Sequence, residues 1–337
     1  MKGRSKNTLI IGVAVIAILI VAIPGLSYYN LFVAPNREPV ARVNDTVFTM
    51  GYYMQRLRAV DRVTASGGGT VDLATEPFQL ITTIQNEELV RQGSPRLNVH
   101  VTQEEVERAV RERMLPPPGE KEDISPQELE RNFQARSRER LRDMGISAEE
   151  YKKSVRAGLL TDKMKERLSD RVPAVEEHAN LYGILLDRNS WEKAAQLKKR
   201  LNEGERFQTV ARDSSTDEES RSLGGELGWL PKGAKGGLFD EVVFSIETNK
   251  VSDPVDTSEG IWIVMVVERD PARKVEGKAR ELLKARALEA WLDDERRENV
   301  VEQYFDSKRY QYVVEKLKEL RGPSQGAQGQ GAGPNAG

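Results

Sequence analysis

Few side chains in this sequence are equipped for covalent or metal chemistry, and their scarcity narrows the possibilities. There is no cysteine, so thiolate catalysis, disulfides and Cys-based metal sites are excluded. The only two histidines are His100 and His178, too few for a His-based zinc site, and no metal or cofactor is expected. The glycine run at 66–70 lacks the lysine and helix-start pattern of a phosphate cradle and reads as a plain loop. What stands out instead is a polar stretch at 213–222 that contains Ser215-Thr216-Asp217. The string Gly224-Gly225-Glu226-Leu227-Gly228-Trp229 and the run Phe239-Asp240-Glu241-Val242-Val243-Phe244 follow it. One carboxylate, two apolar side chains and a glycine-rich turn suit binding and conformational chemistry better than bond-making.

The elements that would position these residues form a compact block. A short strand at 181–186 leads to a helix from Asn189 to Gly204, and a second short helix covers 207–212. After the glycine string comes a helix at 236–246, then strands at 251–255 and 261–267 joined by Thr257-Ser258-Glu259-Gly260. That order, in fewer than about 100 residues, predicts an independent α+β domain. His178 precedes the first strand and reads as a solvated linker residue.

Upstream, residues 40–48 read as a hairpin turning at Asn44-Asp45, followed by a helix at 50–65. Everything from there to about 172 reads helical. Thr102 with Glu105, Ser125 with Glu128 and Ser147 with Glu150 each pair a capping oxygen with a glutamate three residues on. The segment 116–119 (Pro-Pro-Pro-Gly) separates the first two of these helices. Tyr151, Val155, Leu159, Leu160, Met164 and Leu168 make one packing stripe. A helix returns at 275–302 with Leu283, Leu288, Trp291 and Leu292 on one side, and is expected to pack on the N-terminal helices. Residues 321–337 are nearly all Gly, Ala, Gln, Pro and Ser and are expected to be disordered.

These motifs carry a resemblance. Residues 191–269 resemble the parvulin-type peptidyl-prolyl isomerase domain: Glu203-Gly204-Glu205-Arg206-Phe207 leading to Ser215-Thr216-Asp217, the glycine string, the Phe239 run, Val251-Ser252-Asp253-Pro254-Val255 and Gly260. Residues 40–48 and the helices after them resemble the N-terminal chaperone region of SurA- and PrsA-type secretion foldases. The resemblance implies a proline pocket, two histidines and a Cys or Asp around a twisting amide, whose rotation crosses about 18–20 kcal/mol. Asp217 falls on the Cys/Asp position, and Leu227 and Phe239 on pocket positions. Lys235 stands where the family has an apolar methionine, Gly183 at the first histidine and Trp262 at the second. With its histidine partners gone Asp217 reads more readily as a turn aspartate in a polar loop, and Leu227 and Phe239 read equally as core residues. Trp262 either fills the old cleft or offers an aromatic surface. These departures predict weak or absent isomerase activity with a persisting fold.

Charge is balanced, with 51 basic and 53 acidic residues and a net charge of −2, so no basic face argues for nucleic acid. The start of the chain implies a membrane. Lys2, Arg4 and Lys6 precede an apolar run at 9–23 that extends through Val33 after Pro24 and Gly25. Tyr28 and Tyr29 suit the far interface. A cleaved signal peptide would need small residues where Pro24 and the tyrosines stand. The expected layout is an anchor at 1–34 with the N-terminus cytoplasmic, a helical chaperone domain at 38–172, and a parvulin-like domain at 173–270. A C-terminal helical segment at 271–320 and the tail at 321–337 complete it. The expected role is a membrane-anchored, extracytoplasmic folding factor whose partners are unfolded or newly secreted polypeptides. An active isomerase and an envelope scaffold binding one folded partner are the alternatives, and the sequence assigns no oligomeric state.

Overall fold

The computed structural model describes Tyr29, residues 33–115 and residues 125–321. Most of the expected anchor at 1–34, the spacer at 116–119 and all but the first residue of the expected tail lie outside the described residues. Among the described residues no helix is long and apolar enough to cross a membrane.

A helical turn at Ala34–Arg37 leads into β1 (Pro39–Val43) and β2 (Thr46–Thr49). Five helices follow: α1 (Met50–Ser66), α2 (Glu76–Gly93), α3 (Gln103–Met114), α4 (Pro126–Met144) and α5 (Ala148–Ser169). The order then becomes β3 (Val175–Leu186), α6 (Trp191–Asn202), α7 (Phe207–Ser214), α8 (Glu218–Ser222), β4 (Glu226–Pro231) and α9 (Gly237–Ser245). The chain closes with β5 (Val255–Asp256), β6 (Ile261–Lys274), α10 (Gly277–Glu298), β7 (Val301–Gln303) and α11 (Ser307–Arg321). The described residues form two compact units, one drawn from the ranges 1–93, 100–159 and 299–337, the other from 94–99 and 160–298.

The first unit is built on an antiparallel sheet of order β2-β1-β7. The hairpin turns at Asn44, whose φ of 52° is a left-handed value that asparagine tolerates. Its amide N–H donates to Val300 O at 2.8 Å. Its side chain donates to Asn299 Oδ1 at 2.9 Å and Gln92 Oε1 at 2.7 Å, and accepts from the Val300 N–H at 3.1 Å. One turn residue thus holds a strand some 255 positions away. The core joins Val40, Tyr53, Leu57, Ile81 and Ile84 to Val313 and Leu317 of α11. Burying each such aliphatic side chain contributes about 1.5–3 kcal/mol. The buried Tyr53 hydroxyl donates to Pro77 O at 3.0 Å, and burial pushes its phenol well above the ordinary range.

All three expected capping boxes form. The Glu105, Glu128 and Glu150 amides donate to Thr102, Ser125 and Ser147, and each glutamate carboxylate accepts in return from the cap residue's amide. The helices so started pack Val106, Val110 and Met114 against Val155, with Phe133, Leu141 and Tyr151 half-buried around them.

In the second unit the sheet order is β4-β3-β6-β5, antiparallel throughout. Side chains alternate between its faces. Ile184, Leu186, Ile261 and Ile263 face α6 and α7, while Leu181, Trp262, Val264 and Val266 face Phe239 and Val243 of α9. Two readings of the sequence need correction here. His178 is no linker residue: β3 starts at Val175, and His178 lies inside it opposite Pro231 and Asp270, 1% exposed, its Nδ1 2.9 Å from Glu176 O. The helix expected at 275–302 is α10, ending at Glu298, and it belongs to this second unit. Leu283 packs against Gly233, and Glu295 pairs with Arg96 at 2.5 Å. The chain rejoins the first unit only afterwards, through β7 and α11.

Candidate functional site

Register explains how the site assembles. In the β3–β6 ladder Leu185 lies opposite Trp262 and Gly183 opposite Val264, so Gly183 and Trp262 are diagonal neighbours on the α9 side of the sheet. The indole fills that diagonal. A Cβ placed on Gly183 would stand 2.7 Å from Trp262 Cζ3 and 2.7 Å from Leu227 Cδ1, too close for any real side chain. The absent side chain at 183 and the large one at 262 are therefore one packing arrangement. Trp262 is 2% exposed and meets the Phe239 ring edge-on at 5.6 Å between centroids.

The polar edge of the indole is also satisfied. Trp262 Nε1 donates to Glu259 Oε2 at 3.1 Å, and Lys235 Nζ donates to the same oxygen at 2.6 Å. That ammonium lies 4.7 Å from the Trp262 ring centroid and 5.6 Å from that of Phe239, within cation–π range of both. Lys235 sits on a loop with left-handed glycines at Gly233 and Gly236, whose φ values are 93° and 69°. Asp240 fastens this loop, accepting from the Gly233 N–H at 2.5 Å. Burial pushes its carboxyl up, while the amides of Gly233, Gly236 and Lys235 and the Arg286 charge pull the other way.

The structure thus gathers Gly183, Leu227, Lys235, Phe239 and Trp262 at one place. Asp217 is held differently, at the N-cap of α8. Ser220 Oγ donates to its Oδ2 at 2.5 Å, and its own amide donates to Ser215 Oγ at 3.3 Å. Glu259 was missed in the sequence and read only as a turn residue. Its place three residues before Trp262, across the β5–β6 turn, is the one signal that could have marked it. A cleft of about 270 Å³ opens beside this cluster, lined by Lys235, Phe239, Glu259 and Trp262 among others. Among the described residues no group of His, Asp and Glu is placed to hold a metal ion.

Comparison with known proteins identifies both regions of the chain. Residues 180–270 match the PPIC-type PPIASE domain, and residues 1–165 match the SurA-like N-terminal domain. The chain therefore carries a parvulin-type isomerase domain together with a SurA-like N-terminal region. It is similar to chaperone SurA of Methylococcus capsulatus, 35% identical over 35% of this chain and 28% of that protein. It is also similar to foldase protein PrsA of Bacillus subtilis, 38% identical over 30% of this chain and 34% of that protein. Periplasmic chaperone PpiD of Haemophilus ducreyi is 36% identical over 23% of this chain and 13% of that protein. The matched stretches span about a third or less of these relatives' lengths.

Because the glycine and the indole are coupled, Gly183→His alone should overpack the sheet and lower stability by about 1–3 kcal/mol. In a Trp262→His background the same change should cost much less. Urea unfolding of the single, single and double variants measures the coupling; additive losses would show that the indole does not occupy the space of a residue-183 side chain.

Proposed function

We propose that this chain is an extracytoplasmic folding factor that holds unfolded or newly secreted polypeptides, with a parvulin-like domain that binds peptide without isomerising it. The observation that carries the reading is the closure of the Trp262 indole over Gly183. Isomerisation needs polar groups and a snug ring pocket that favour the twisted amide over the planar one. In this cleft both family histidine positions are occupied by one packing arrangement, and an ammonium stands on the pocket wall. A tenfold loss of rate follows from only about 1.4 kcal/mol of lost transition-state stabilisation. Holding a chain demands no such geometry.

Client holding is assigned to residues 38–172 and the C-terminal segment that returns to them, and peptide binding to residues 173–270. The half-buried Phe133, Leu141 and Tyr151 around the α3–α5 core, with Leu129 exposed nearby in sequence, support an apolar client surface. The names of the relatives, chaperone and foldase, support the same role. The basic start, the apolar run and the periplasmic relative support an N-terminal single-pass anchor with the bulk outside the cytoplasm.

The full chain should suppress aggregation of an unfolded client at near-stoichiometric amounts while leaving the isomerisation rate of a short proline peptide at its uncatalysed value. Robust isomerisation, abolished by Phe239→Ala or Asp217→Ala, would establish an enzyme instead. Failure to protect any unfolded client would favour a scaffold for one folded partner. For topology, protease added to spheroplasts should digest the bulk of the chain; full protection, or release of the chain into the medium, contradicts the anchored arrangement.

A further inference from the structure

The cleft beside Trp262 carries an unusual charge pattern for a proline-binding surface. Its lining holds four carboxylates, Asp256, Glu259, Glu289 and Asp293, against two cations, Lys235 and Arg286. Glu259 is matched by Lys235 and Asp293 by Arg296 at 2.7 Å, while Arg286 acts on the half-buried Asp240. Asp256 and Glu289 form no ion pair among the described residues. The floor is aromatic, from Trp262 and Phe239, and a cation already rests on it: the Lys235 ammonium, 4.7 Å from the indole centroid and 2.6 Å from Glu259.

We infer that this cleft takes a basic side chain of a client, an arginine or lysine, which displaces Lys235 from the aromatic floor. The inference rests on the reading that the cleft binds peptide, and it names what the cleft selects. Lys235 acts as an internal stand-in for the ligand and shows that this surface stabilises a cation. Its displacement is cheap, because the Lys235–Glu259 pair is partly solvated, with side chains 24% and 49% exposed, and such pairs contribute little. The freed ammonium has Asp256 and Glu289 within the same lining to meet it. Arginine is the better occupant, since a planar guanidinium stacks on the indole and can engage Glu259 in a bidentate fork. A proline ring, by contrast, would find an ammonium where it needs an apolar wall.

Isothermal titration of the full chain with blocked pentapeptides bearing a central Arg, Lys, Gln, Glu or Pro tests this. The Arg peptide should bind at least about tenfold tighter than the Gln peptide, as expected for a partly desolvated cation on an aromatic face. That preference should shrink with added salt. Glu259→Gln should weaken Arg-peptide binding, and Lys235→Met, which removes the internal competitor, should tighten it. Equal affinities across the series, or weaker Arg binding by Lys235→Met, would overturn the inference. If all peptides then bind alike and Trp262→Ala abolishes binding, the peptide-binding reading survives without charge selection. If none binds, both fall.

Discussion

The approach of the Trp262 indole to the bare backbone of Gly183 governs what the second unit can do. Each partner needs the other: the ring has room only because position 183 has no Cβ, and without the ring the sheet would be left with a cavity between Leu227 and Phe239. The consequences spread outward through satisfied contacts. The indole N–H requires an acceptor and finds Glu259; Glu259, carrying charge, gathers Lys235; the loop bearing Lys235 is fastened by Asp240. A chain of local requirements thus gives this side of the sheet a polar-edged aromatic surface.

The first unit depends on a different constraint, closure of a chain whose two ends are far apart in sequence. Asn44 accomplishes this with a hydrogen-bonded turn that binds Asn299 and Val300, after which β7 adds to β1 and α11 fills the core. Ordering so long a detour costs little more than ordering a shorter one, since closure entropy rises only logarithmically with loop length. An α+β unit of some 140 residues can therefore be carried between two segments of one fold, provided its own core is complete. The separate buried clusters on the two faces of the β4-β3-β6-β5 sheet meet that condition.

Much of this was legible in the sequence because it is locally encoded. Capping boxes, the Asn44 turn and the alternating strands 181–186 and 261–267 are patterns of adjacent residues, and each appears in the structure. The positions Gly183, Leu227, Lys235, Phe239 and Trp262 could be singled out through the resemblance to the parvulin family, though their contacts could not. What escaped detection depends on partners distant in sequence. Val301-Glu302-Gln303 is a strand only because β1 lies beside it, and Leu283 of α10 could as well have packed on helices as on Gly233. His178 looked solvated because the first strand was expected to begin only at Leu181; β3 starts at Val175, and the continuation of β6 to Lys274 pairs with it there. Glu259 was overlooked for another reason: its spacing of three residues from Trp262 is a weak signal until an indole N–H and an ammonium are seen to converge on it.

The central claim is that the indole of Trp262 lies against the Cα of Gly183 in solution. Nuclear magnetic resonance of protein carrying isotope-labelled glycine reads this directly, since an aromatic face beside a glycine shifts its Hα resonances strongly upfield. The account predicts such a shifted glycine, with a nuclear Overhauser contact to the indole ring protons, whose shift returns to the ordinary range in Trp262→His. A Gly183 Hα at an unshifted position with no contact to the ring would mean that the cleft is open, and the case for binding without isomerisation would lose its basis.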